Sequence, residues 1–155
     1  MTLDEKELKE FLVEAKKNTY EGNGKKVEPS RPLSKDLPFQ KGEYYYLDSY
    51  FGDINFIGEE MVWSNSKALW GMNYFGEMLI PDIPEKFSDC LKGALKSVPA
   101  DAPYRGPQAY ILDDLEYRCK WSGDIDSFFG EESIAFKGQE IYKLRFHGGF
   151  IKSFR

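Results

Sequence analysis

The sequence predicts an α+β fold: a tandem duplication of a helix-strand-strand-strand unit, with two helices packed on one face of a largely antiparallel sheet. Three observations carry that prediction. The first is a repeat. Gly52-Asp53-Ile54-Asn55-Phe56-Ile57-Gly58-Glu59-Glu60 recurs as Gly123-Asp124-Ile125-Asp126-Ser127-Phe128-Phe129-Gly130-Glu131-Glu132, with Ser127 inserted. Its flanks correspond too: Tyr46 with Tyr117, Val62 with Ile134, Trp70 with Tyr142, Tyr74 with Phe146 and Gly76 with Gly148. Self-similarity of this kind marks an internal duplication. The second is helical spacing of apolar residues near the start of each half, and the third is alternation in the segments that follow. The 155 residues therefore read as a single domain, 1–155, built of repeats over about 3–80 and 82–152.

The first helix is predicted over residues 3–17. Thr2 and Glu5 read as a capping box, and Leu8, Phe11, Leu12 and Ala15 share one face. Lys16 and Lys17 suit its C-terminal end, and nothing on this helix suggests chemistry. Gly22-Asn23-Gly24, Pro29, Pro32 and Pro38 then predict an irregular connection over roughly 20–40. No Gly-Lys-Ser/Thr follows those glycines, so they are not a phosphate loop.

Strands are predicted over Glu43 to Phe51, 55–63 and 67–75, with Ser64-Asn65-Ser66 as a hairpin connection. A second helix follows, capped by Asp82 with Glu85 and presenting Phe87, Cys90, Leu91, Ala94 and Leu95 before Pro99 ends it. A loop with Pro103, Gly106 and Pro107 leads to strands near 115–121, 128–136 and 139–147, with Lys137-Gly138 as the second turn.

Alternation separates the two sheet faces. Trp70, Met72 and Tyr74 match Tyr142, Leu144 and Phe146, which makes this the face against the helices. Leu69, Gly71, Asn73 and Phe75 match Ile141, Lys143, Arg145 and His147 on a half-polar opposite face. In the first strands Asp48 sits in an aromatic row with Tyr44, Tyr46 and Tyr50, where its repeat mate is Cys119. Glu60 and Glu132 likewise fall in apolar rows.

A carboxylate there is costly to bury without a partner or ligand. Two arrangements satisfy these acids. They pair with Arg31, Arg105, Arg118 or Arg145 or reach water at an edge, or they line an aromatic, acidic cleft where the halves meet. In the cleft arrangement Gly58 and Gly130 leave space for a ligand or a crossing backbone, a role a β-bulge explains equally well. Arg31 and Arg105, each in the loop after a helix, either clamp an anionic group or neutralise the acids.

Composition narrows the function classes. The chain is 41% hydrophobic and 16% aromatic, which argues for a folded core. Its net charge of −5 argues against a nucleic-acid surface. There is neither a secretory signal nor an apolar run long enough for a membrane span, so a cytoplasmic location is expected. Two cysteines and one histidine are too few for a disulfide scaffold or a usual zinc site, so no metal or cofactor is expected.

The stretches Phe11-Leu12-Val13-Glu14-Ala15-Lys16-Lys17-Asn18-Thr19-Tyr20, Pro29-Ser30-Arg31-Pro32, Tyr46-Leu47-Asp48-Ser49-Tyr50, Trp70-Gly71-Met72-Asn73-Tyr74 and Tyr104-Arg105-Gly106-Pro107 resemble an uncharacterised bacterial domain family. Its members occur alone or behind Xre-type helix-turn-helix segments in regulators. The resemblance implies no activity and no catalytic residues. No helix-turn-helix precedes the domain here, so direct DNA binding is not expected. The tandem halves also look, at fold level only, like GyrI-like effector-binding domains, which hold ligands in an aromatic and acidic cleft but start each half with a strand.

The function expected is binding of a small molecule, aromatic or cationic, in a cleft between the repeats. Tyr50, Trp70 and Tyr74 offer aromatic surface, with Trp70 and Tyr74 alternatively core. Asp48, Glu60 and Glu132 fix charge and orientation, Arg31 and Arg105 close the mouth, and Asn73 and His147 add polar contacts from the third strands. The alternatives are a small hydrolytic enzyme and a protein-interaction module. The hydrolase would use His147 or a glutamate as base, with Asp124 or Glu132 to orient the histidine. No Gly-x-Ser-x-Gly elbow supports it, and Cys90 reads as core.

Overall fold

Helical spacing and strand alternation both produce the elements they imply in the computed structural model, which describes residues 4–20 and 25–154. Among these the chain forms α1 (Glu5–Tyr20), β1 (Lys35–Lys41), β2 (Tyr44–Gly52), β3 (Phe56–Ser64) and β4 (Lys67–Met78). The second half repeats the pattern with α2 (Phe87–Lys96), β5 (Ala109–Leu112), β6 (Leu115–Asp124), β7 (Ser127–Phe136) and β8 (Gln139–Phe150). Each half is thus a helix followed by four strands, one more than the periodicity predicts. The extra strands β1 and β5 are the two edges of the sheet, whose order is β1-β2-β3-β4-β8-β7-β6-β5. Edge strands tolerate proline, and Pro38 lies inside β1. That is why a proline-rich stretch reads as loop and folds as strand.

Every neighbouring pair of strands is antiparallel. The halves join where β4 pairs with β8, and there Tyr74 faces its own repeat mate Phe146. A local twofold therefore passes through that pair, exchanging the halves. The inward residues of both strands are buried with Leu8, Leu12, Cys90 and Ala94 of the helices in one core. Both helices thus cover one face of the sheet. The opposite face leaves Ile57, Phe75 and Phe129 exposed.

Local chemistry sets the boundaries. The cap expected from Thr2 lies outside the described residues; Asp4 Oδ1 accepts from the Glu7 N–H at 3.2 Å instead. Gly22-Asn23-Gly24 also lies outside them. Helix α2 is not capped by Asp82 and Glu85. It starts at Phe87, and the Lys86 side chain at the N-cap makes no capping hydrogen bond. The hairpin turns Asn65-Ser66 and Lys137-Gly138 have positive φ at both residues, which matches the right-handed twist of their strands.

Gly52 and Gly123 take φ of 92° and 91°, so the repeated Gly-Asp-Ile motif ends a strand rather than holding a reactive group. Gly58 and Gly130 make room for the rings of Tyr74 and Phe146 from the neighbouring strand. The register shifts fall elsewhere, at Val62/Trp63 and Ile134/Ala135. At the seam, a Cβ on Gly148 would come 2.1 Å from the Gly71 carbonyl oxygen and 2.8 Å from the Met72 Cα. Gly148→Ala is expected to destabilise the domain by about 1–3 kcal/mol, because backbone must move to relieve the overlap. A thermal midpoint equal to that of the parent protein would contradict this tight seam.

Candidate functional site

The buried face of the sheet carries charge at its centre. Glu132 is fully buried and accepts two hydrogen bonds from Arg105, Nε to Oε1 at 3.0 Å and Nη2 to Oε2 at 2.8 Å. The Tyr117 and Tyr142 hydroxyls donate to the same carboxylate at 2.6 and 2.7 Å. Burial and the nearby carboxylate push both phenols well above their ordinary range, so they act as donors.

The first half builds a related cluster. Glu60, also fully buried, accepts from the Tyr46 hydroxyl and from Lys16 Nζ at 2.9 Å. Lys16 donates in addition to the Tyr104 carbonyl at 2.6 Å. Tyr46 and Glu60 are the repeat mates of Tyr117 and Glu132, so the duplication preserves the carboxylate–tyrosine pair and changes the cation.

Lys16 corrects the sequence reading. It does not lie at the C-terminal end, because α1 runs on to Tyr20, and it is 0% exposed in the core, where burial lowers its pKa against the pull of Glu60. Its spacing carried a signal: Leu8, Leu12 and Lys16 recur at i, i+4 and i+8 along the buried stripe.

Asp48 lies beside this network. It is 3% exposed and accepts a hydrogen bond from the Tyr74 hydroxyl at 2.6 Å. Burial, and then the charge of Glu60, raise its pKa to about 7 against the opposing effects of Tyr74, Arg105 and Lys16. Asp48 also lines a cleft of about 540 Å³ between α2 and strands β2–β4. Tyr50, Phe56 and Tyr74 supply aromatic walls, Leu91, Lys92 and Leu95 come from α2, and Thr19 comes from the end of α1. Arg105 reaches this cleft too, 5.4 Å from the Tyr74 ring centroid.

The ten expected ligand-binding residues thus fall into three places. Asp48, Tyr50, Tyr74 and Arg105 line the cleft. Glu60, Glu132 and Trp70 lie in the interior, where Trp70 donates its indole N–H to the Ile125 carbonyl at 3.1 Å. Arg31, Asn73 and His147 line a separate hollow of about 480 Å³ on the outer side of the sheet. Arg31 does not close the cleft: its guanidinium donates to Ser49 Oγ at 2.8 Å and lies over Phe51. Arg105 is not a mouth residue either, being committed to Glu132.

His147 sits on the exposed face, paired in register with Asn73 and Phe129. Neither acid named to orient it does so. Glu132 belongs to the buried face, and Asp124 accepts from Lys9 and from the Ile125 N–H. Cys90 and Cys119 are buried, and burial raises both thiols, Cys119 to about 12, which keeps them protonated and unreactive. Among the described residues no three His, Cys, Asp or Glu side chains gather as metal ligands, and no helix is long and apolar enough to cross a membrane.

The cleft residues Phe56, Leu91, Lys92 and Leu95 were not anticipated as a site. Residues 48–151 match the family model of a domain of unknown function, DUF5680. No curated protein and no solved structure matches the chain.

Proposed function

The chain belongs to the DUF5680 family, a domain of unknown function, and we propose that it binds a small molecule in the cleft between α2 and strands β2–β4. One observation supports this reading above the rest: a nearly buried carboxyl group, Asp48, at the floor of a cleft walled by aromatic rings. Pockets that are largely apolar with a few convergent polar groups are the usual form of small-molecule sites. A carboxylate in that position is disfavoured by burial and by Glu60, so a ligand group that donates hydrogen bonds or carries positive charge relieves a cost already built into the fold. The family resemblance to domains found with regulators makes an effector-type role in the cytoplasm the natural setting.

The protein-interaction reading rests on Ile57, Phe75 and Phe129, exposed together on the outer face, and nothing indicates what would cover them. In the hydrolytic reading, the version with His147 as base is without Asp124 and Glu132 as orienting acids.

The test is a thermal-shift screen of metabolites and dyes against the parent protein and Asp48→Ala. A ligand at about 100 times its Kd adds about 2.7 kcal/mol to stability, enough to raise Tm by several degrees. Hits are expected to stabilise the parent, and at least tenfold weaker binding is expected in Asp48→Ala. A broad library that yields no stabilisation, or hits indifferent to Asp48, would remove the proposal.

A further inference from the structure

The second half holds a ring in the place where the first half has its cleft. Tyr104, in the loop between α2 and β5, is 1% exposed and lies flat on Phe128, with centroids 4.0 Å apart and planes 13° apart. Trp121 meets it edge-on at 6.2 Å, and Phe146 is tilted against it at 6.2 Å. Phe128 also stacks on Trp70 at 5.7 Å.

The duplication gives each surrounding ring a counterpart: Phe56 for Phe128, Tyr50 for Trp121, Tyr74 for Phe146 and Tyr142 for Trp70. The counterparts keep the geometry. Phe56 stacks on Tyr142 at 6.4 Å and 21°, and Tyr74 meets it edge-on at 6.0 Å. Phe56 lies over Gly76 as Phe128 lies over Gly148. Yet Phe56, Tyr50 and Tyr74 line an open cleft.

Two further differences fall at the same place. Ile125 is 0% exposed in the second half, whereas its mate Ile54 is 62% exposed at the cleft end of the first. The backbone N–H of Gly106, two residues past Tyr104, donates to the Tyr117 hydroxyl at 2.9 Å, and the buried thiol of Cys119 in this half has the Asp48 carboxyl as its mate in the first. The second half therefore fills this place with a flat ring and has a neutral thiol where the first half has a carboxyl. A carboxyl that lines the cleft at that position is best met by a donor carrying positive charge.

We propose that the cleft takes an aromatic amine: a planar ring stacked on Phe56 as Tyr104 stacks on Phe128, with its ammonium group against Asp48. The inference rests on the ligand-binding reading of this cleft and adds the class of ligand. Ring stacking supplies orientation, and the aromatic walls also favour a cation. The cleft volume leaves space for substituents on the ring.

The test compares tyramine with 2-cyclohexylethylamine, which keeps the amine and loses the planar ring. Calorimetric titration and proton NMR are run at pH 8 on the parent protein, Phe56→Leu and Ser88→Trp. Ser88 is exposed on α2 and lines the cleft, so a tryptophan there blocks it without disturbing the core.

Tyramine is expected to bind with its ring protons shifted upfield, and the cyclohexyl amine about five- to tenfold more weakly. Phe56→Leu is expected to erase that preference, and Ser88→Trp to block both amines. The comparison on the parent protein stands even if Phe56→Leu fails to fold. Equal binding of both amines, blocked by Ser88→Trp, would overturn the aromatic class and leave the cleft reading intact. Binding that ignores Ser88→Trp, or no binding by these amines or any member of a broad library, would overturn both.

Discussion

Truncating Arg105 to alanine is expected to destabilise the domain by about 3–5 kcal/mol, as removal of one partner from a buried ion pair does. The loss comes mainly from what stays behind. Glu132 is fully buried, and without the bidentate guanidinium its charge keeps, among the described residues, the Tyr117 and Tyr142 hydroxyls as donors. Two neutral donors do not replace a cation in low dielectric. A domain of ordinary stability has about 5–15 kcal/mol in total, so the variant sits near the unfolding threshold at room temperature.

Urea unfolding measures the loss, and two controls locate it. Lys86→Ala breaks the exposed pair with Asp113 and is expected to cost less than about 1 kcal/mol. Arg105→Met combined with Glu132→Gln removes both charges and is expected to recover much of the loss. A loss below about 1 kcal/mol for Arg105→Ala would mean that the buried carboxylate is already compensated by other groups.

The fold was legible where the sequence repeats itself. Gly52 to Glu60 and Gly123 to Glu132 form matching strand ends and strands, because a left-handed glycine followed by alternating residues imposes the same local geometry twice. Legibility failed at β1 and β5, where a four-residue strand and a strand interrupted by Pro38 carry little periodic signal. These strands are stabilised by pairing with their neighbours, which local pattern does not report.

The site was half legible for a similar reason. Alternation placed Asp48, Glu60 and Glu132 correctly on the inner face, and His147 and Asn73 on the outer one. What alternation cannot supply is depth. Asp48 reaches the cleft while Glu60 and Glu132 stay behind it, because Lys16 and Arg105 cross from other elements to pair with them. Contacts so far apart in sequence leave no mark in any local window, and a lysine in the last turns of a helix ordinarily faces water.

Asp48→Asn is expected to stabilise the domain, and by more as pH rises. In the unfolded chain this carboxyl titrates near the ordinary aspartate value of 3.8, and in the fold it is pushed up to about 7. Between those values the native state holds a proton that the unfolded state has released, so stability falls with rising pH. Above about pH 7 the group is ionised in both states and the penalty is fully present, roughly 4 kcal/mol at about 1.4 kcal/mol per pKa unit.

The groups that bear on Asp48 come from several elements: Glu60 on β3 raises its pKa, while Tyr74 on β4, Arg105 in the loop after α2 and Lys16 on α1 lower it. Asparagine keeps the shape and the hydrogen bond from Tyr74 and cannot ionise. Urea midpoints of the two proteins are therefore expected to lie close near pH 4, to separate through pH 5 and 6, and to reach a constant gap above about pH 7 with the variant ahead. Comparing the pair at each pH cancels the titration of the other carboxylates.

The same linkage ties stability to ligand binding. A cation against Asp48 favours the ionised form, so an amine is expected to bind more tightly at pH 8 than at pH 6 and to displace a proton on binding near neutrality. Calorimetry in buffers of different ionisation enthalpy reads that proton directly. A stability gap no larger at pH 8 than at pH 5 would show that Asp48 does not change charge in this range, and its role as the charge-sensing floor of the cleft would fall with it.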